Sequence, residues 1–134
     1  MKKLWYKFDG LDQLYRQVDL IVGNEPALFV CVDEYDNKYL VMAYNPYMLE
    51  YVFVRVGDTD LVNMLENRIT MEQVYRNADI IYLSRDSENE ELKVETYNPK
   101  SFSADMLPVA GRYYELQIDY VNRFVHELKT NLAP

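Results

Sequence analysis

Hydrophobic residues fall in short runs along this chain, and the densest runs lie together between Ala27 and Val56. Three segments there, ALFVCVDEY, KYLVMAYN and LEYVFVRV, are rich in Val, Phe, Tyr and Leu, residues that fit a pleated, half-buried surface. They predict a three-stranded meander. Asp36-Asn37, a pair suited to tight turns, joins the first two strands. Along the first strand Leu28, Val30 and Val32 face one way, and Phe29, Cys31 and Asp33 the other. Both sets are mostly apolar, which predicts burial on both faces.

Outside the meander the periodicity changes. Lys3 to Phe8 reads as a short strand, broken by Gly10-Leu11-Asp12. Leu11, Leu14, Tyr15 and Val18 follow helical spacing and predict one or two turns of helix. After Gly57, Asp58 or Thr59 is placed to cap a helix with Leu61, Val62, Met64 and Leu65 inside. Thr70-x-x-Gln73 fits a capping box opening a second helix that buries Met71, Val74 and Tyr75. Residues 79–85 (DIIYLSR) and 92–97 (LKVETY) read as a second hairpin with a polar connector, and 101–108 as a loop. Tyr114, Ile118, Val121, Val125, Leu128 and Leu132 form one stripe of a C-terminal helix. The stripe is too short for a typical coiled coil, so it is expected to pack on the sheet, with a homodimer through this helix as the alternative. The class is α+β: a mostly antiparallel, twisted sheet (meander 27–56 plus hairpin 79–97), two short central helices and an amphipathic C-terminal helix, in a single domain spanning 1–134.

Composition narrows the function. The chain has 134 residues, 49% of them hydrophobic, enough for a real core. Its net charge of −8 repels nucleic acid and anionic lipid, and suits a basic protein partner or solubility alone. A single cysteine, Cys31, forms no internal disulfide, which favours a reducing compartment. No apolar run reaches the roughly 18–20 residues of a membrane helix. The first residues meet charge again at Lys7 and Asp9, unlike a secretory signal. A cytoplasmic protein is therefore expected.

Candidate chemistry is sparse. His126 is the lone histidine and lies beside the apolar stripe, and Cys31 sits mid-strand, where a thiolate has no support. With one histidine and one cysteine there is no zinc constellation, and no carboxylate run has calcium-loop spacing. The four glycines are too scattered for a phosphate-binding loop. No catalytic residue, cofactor or metal is assigned, and the leading reading is non-enzymatic.

The thirteen tyrosines are the anomaly, since tyrosine joins apolar area to a polar tip and serves interfaces as well as cores. Carboxylates set among them would compete, as phosphates do, for the Lys and Arg residues of a nucleic-acid enzyme. The residues assigned to partner binding are Asp33, Glu34, Tyr35, Asp36 and Tyr47 around the first hairpin, and Asp86, Glu88, Glu90 and Glu91 on the second connector. Two rivals stand beside this: a small-ligand binder or enzyme with a cleft between sheet and helices, and a homo-oligomeric structural protein.

A sequence pattern adds one further expectation. Pro26-Ala27-Leu28-Phe29-Val30, Asp36-x-x-Tyr39-Leu40-Val41, Glu50-Tyr51-Val52-Phe53-Val54 and Asn67-Arg68-Ile69-Thr70-Met71-x-x-Val74-Tyr75 follow one another. This resembles a family of small bacterial and phage domains of unknown function, across roughly residues 20 to 83 and the Leu107-Pro108 region. Asp36-Asn37-Lys38 stands where that family has a small acidic or glycine turn. The resemblance brings no catalytic residues. By analogy it implies a phage-borne regulator or inhibitor of a host defence enzyme, such as an anti-CRISPR protein.

Overall fold

The computed structural model describes residues 3–7, 13–22, 27–45, 50–86, 92–115 and 118–132. Seven strands form one antiparallel sheet: β1 (Lys3–Lys7), β2 (Gln13–Ile21), β3 (Ala27–Val32), β4 (Lys38–Asn45), β5 (Glu50–Val56), β6 (Ile81–Asp86) and β7 (Leu92–Tyr97). Their order across the sheet is their order in the chain. Helices α1 (Asp58–Leu65) and α2 (Met71–Asn77) lie between β5 and β6, and α3 (Asp119–Leu132) follows β7. The α+β class, the meander and the second hairpin are as the hydrophobic pattern predicts. Among the described residues, no helix is long and apolar enough to cross a membrane.

The helices cover one face of the sheet. Leu20, Leu28, Val30, Leu40, Val52 and Val54 meet Leu61, Met64, Val74 and Tyr75 there, and Val121, Phe124 and Leu128 of α3 complete the cluster. The second face is closed as well. Leu14, Phe29, Cys31, Tyr39, Val41 and Phe53 are all buried, with Phe53 stacked on Tyr82 at 5.2 Å and the Arg16 guanidinium 4.0 Å from the Phe29 ring centre. The Thr70 capping box is present, with the Gln73 N–H donating to Oγ1 and the Thr70 N–H donating to Gln73 Oε1.

Five details differ from the sequence-based expectation. Residues 13–21 form a strand, not a helix. A register shift between Arg16 and Val18 sends Leu14 to the second face and Val18 and Leu20 to the helix face. Because of that bulge Leu14 and Val18, four residues apart, are covered on opposite faces of the sheet, and their spacing reads like one face of a helix. The first hairpin closes through five residues, 33–37, rather than an Asp36-Asn37 pair. The Asp36 N–H donates to the Asp33 carbonyl, and Asp36 adopts φ 68°. Gly57 is the N-cap of α1, so Asp58 begins the helix and instead pairs with buried Lys38 at 3.0 Å. Residues 104–106, expected as loop, form a single 3₁₀ turn. The C-terminal helix starts at Asp119, leaving Tyr114 before it. Its buried side is Val121, Phe124 and Leu128, with Val125 half-buried and Leu132 45% exposed. This side packs on α1 and β2.

Candidate functional site

Antiparallel pairing sorts every loop to one of two ends. The β3–β4 turn, the exit of β5, the entry to β6 and the exit of β7 share one end. The β4–β5 and β6–β7 connections share the other. The two ends are therefore distinct. Asp33, Glu34 and Asp36 stand at the first end, whereas the connector that follows Asp86 leaves from the second. The length of β4 from Lys38 to Asn45 sets a separation of roughly 20–25 Å. Tyr47, Glu88, Glu90, Glu91 and the side chain of Asp86 lie outside the described residues.

Asp33 is an internal organiser. Its carboxylate accepts hydrogen bonds from the Tyr35 N–H, the Asn37 N–H and the Asn37 side chain at 2.9–3.0 Å, and it is 5% exposed. Burial works to raise its pKa, but the bonds from Asn37 and Tyr35, with the charge of Arg55, outweigh it and hold the carboxyl below its usual range. The turn so fixed projects Glu34, Tyr35 and Asp36 into solvent, with Tyr35 72% exposed. Asn37 in turn binds Arg55 at the end of β5.

The same end carries residues that the sequence did not single out. Ile80 and Tyr97 are 42% and 38% exposed. Asp79 and Ile80 line two depressions, one of about 340 Å³ completed by Arg55, Gly57 and Tyr82, the other of about 300 Å³ completed by Thr96, Tyr97 and Asn98. Tyr97 is held in place by the edge of Phe102 at 5.2 Å and by its hydroxyl donating to Glu95. Strand spacing puts β4 and β7 roughly 15 Å apart, so Tyr35, Ile80 and Tyr97 span one continuous end of the sheet. A sequence signal for Ile80 existed: in Ile80-Ile81 only one side chain points to the helix face, and Ile81 takes it.

The second end has different chemistry. A cleft of about 220 Å³ opens between the sheet and the segment before α3, with Ile21, Leu28 and Met42 on one side and Leu107, Pro108 and Val109 on the other. Tyr44, Asp105 and Arg112 are its polar lining. Met71 at the start of α2 also lines it, so the cleft lies between the sheet, that helix and the segment before α3.

Neither Cys31 nor His126 takes part in either feature. Cys31 is fully buried, which pushes its thiol pKa up, and His126 is exposed on α3. Among the described residues, no three His, Cys, Asp or Glu side chains are grouped to hold a metal ion. Comparison with known proteins found no matching family model, no matching curated protein and no matching solved structure.

Proposed function

We propose that this protein is a non-enzymatic interaction module that docks a basic protein surface on the end of the sheet bearing Tyr35, Ile80 and Tyr97. One observation carries the reading. At this end of the sheet Tyr35, Ile80 and Tyr97 remain 38–72% exposed, together with the carboxylates of Glu34, Asp36 and Asp79. Exposed aromatic anchors set among charges are the composition of an interface. The Asp33 hydrogen bonds and the Tyr97–Phe102 contact fix the patch in advance, so little ordering entropy is lost on binding. The net charge of −8 favours a partner rich in Lys and Arg. The nucleic-acid groove of an enzyme is one such surface.

The test compares the native protein with two variants, Tyr35→Ala/Tyr97→Ala and Asp36→Lys/Asp79→Lys, as baits and then in association kinetics with the captured partner. The aromatic variant is expected to dissociate faster at every salt concentration. The charge variant is expected to associate more slowly, by a factor that shrinks as salt rises, since the screening length falls to about 3 Å at 1 M. A partner retained unchanged by both variants would refute the assignment of this surface.

A further inference from the structure

The sheet has two edges, and they are built differently. β1 and β7 each have a strand neighbour on one side only. Such an edge is a template for another strand, and bulges, prolines and repelling charges discourage that pairing. β1 carries a bulge, since its register against β2 shifts between Leu4 and Tyr6. β7 pairs with β6 in unbroken register from Ile81–Tyr97 to Asp86–Leu92, and its six residues, LKVETY, contain no proline.

The end of this strand is open on both faces of the sheet. Neighbouring residues point to opposite faces, and Glu95 and Thr96 are both exposed. Val94 is half-buried on the second face, packed against the cluster that includes Phe53. The Glu95 carboxylate accepts the Tyr97 hydroxyl and, being exposed, has lone pairs left for a second donor.

The order of charges along β7 selects an occupant. In a two-fold antiparallel ladder the axis passes through one position of the strand, because facing residues are of the same hydrogen-bonding class. An axis at Lys93 or at Glu95 sets a charge opposite its own copy, which is unfavourable. An axis at Val94 sets Lys93 of each copy opposite Glu95 of the other, Leu92 opposite Thr96, and Val94 opposite itself. Axes nearer the strand ends shorten the ladder. Charge complementarity therefore picks out one register, and it uses residues 92–96.

We propose that β7 is a self-pairing edge, through which two copies of this chain join antiparallel about a two-fold axis at Val94. Two seven-stranded sheets then become one. Main-chain hydrogen bonds supply the attraction, and the two Lys93–Glu95 pairs fix the register. A six-residue edge is small beside the roughly 1,200–2,000 Å² of a standard interface, so the dimer is expected to be in equilibrium with monomer. The pairing goes beyond the docking reading and stands without it.

The experiment is sedimentation velocity of the full chain from about 1 μM to about 1 mM, where monomers are expected to give way to dimers. Lys93→Glu and Glu95→Lys each set like charges opposite one another and should weaken the dimer about tenfold. An equimolar mixture of these two variants should associate as the native chain does, because each chain then meets its opposite, and so should the double variant Lys93→Glu/Glu95→Lys. The mixture is its own control for folding, since the same chains are measured alone and together. The axis puts the two Val94 Cα atoms about 4.5–5.5 Å apart, within disulfide range, so under mild oxidation Val94→Cys should cross-link faster than Thr96→Cys. Monomers at every concentration, dimers indifferent to the single variants, a mixture no stronger than its components, or equal cross-linking rates would overturn the proposal. Indifferent dimers would place the contact elsewhere, on α3 for example. The samples contain no basic partner, so the outcome is independent of docking at Tyr35, Ile80 and Tyr97.

Discussion

Alkaline pH should expose the buried tyrosines of this core one by one. Tyr75 is fully buried, and its hydroxyl donates to the Leu40 carbonyl at 3.2 Å and the Val52 carbonyl at 3.0 Å, bridging β4 and β5. Burial raises its pKa well above the ordinary 10.0. The same phenol in the unfolded chain ionises near 10. A folded pKa above the unfolded one means the contribution is intact below about pH 10 and is lost as pH climbs beyond it, at about 1.4 kcal/mol per pH unit. Tyr114, 2% exposed and pushed up to about 12 chiefly by burial, acts in the same direction, and so does Cys31. With all three protonated only in the folded state, stability should fall by up to about 4 kcal/mol per unit above pH 10, against a typical total of about 5–15 kcal/mol. Tyr75→Phe isolates one share. Near pH 7 it should cost about 1–2 kcal/mol, because two buried carbonyls lose a donor. It also removes one ionisable group, so its alkaline slope should be shallower by about 1.4 kcal/mol per unit, and the two stability curves should meet near pH 11. Urea unfolding followed by circular dichroism at a series of pH values gives both curves. A gap that stays constant from pH 7 to pH 11 would refute the reasoning.

Other substitutions probe other parts of the fold. Leu128→Ala on α3 should cost about 2–5 kcal/mol in urea unfolding, whereas Val125→Ala, at a half-buried site, should cost about 1 kcal/mol. Thr70→Ala removes the capping box and should cost about 1 kcal/mol, read as a fall in melting temperature. Asp33→Ala should cost about 1–2 kcal/mol at neutral pH. Because the Asp33 pKa is depressed in the fold, its contribution is present above the ordinary 3.8 and lost as pH falls below it, so this deficit should narrow in acid. His126→Gln should leave partner binding and melting temperature unchanged, and Cys31→Ser should lower stability without altering binding once folded.

Elements with clean periods were legible in the sequence, and elements whose period is interrupted were not. The meander alternates without a shift through β3 and its pairing with β4, and it was read correctly. The Thr70 box identified α2 from four residues. β2 failed because its register shift hides a period of two, and Gln17, within that shift, leaves its buried Oε1 without a partner in the described structure. The heptad-like spacing began too early because Tyr114 belongs to the core for a different reason: its hydroxyl donates to the Leu20 carbonyl at 2.9 Å. At the candidate surface, Tyr35 and Asp36 were found from type and position. Asp79, Ile80 and Tyr97 were not, because their nearness to Tyr35 depends on which strand ends coincide. Asp33 looks like its acidic neighbours in the sequence, and only its hydrogen bonds set it apart.

Strand order that copies chain order has a consequence for synthesis on the ribosome. Each strand from β2 to β7 pairs with the strand made before it, so the sheet can grow strand by strand as residues emerge, with a long closure only between β5 and β6, where residues 57–80 carry α1 and α2. The cover does not share this economy. Tyr114 reaches back 94 residues to Leu20, and α3 returns to α1 and β2. A nascent chain stopped before Leu107 would hold a nearly complete sheet with Leu20, Leu28 and Met42 still lacking their final cover. That stage, rather than strand pairing, is where the growing chain is most open to chaperone capture or self-association.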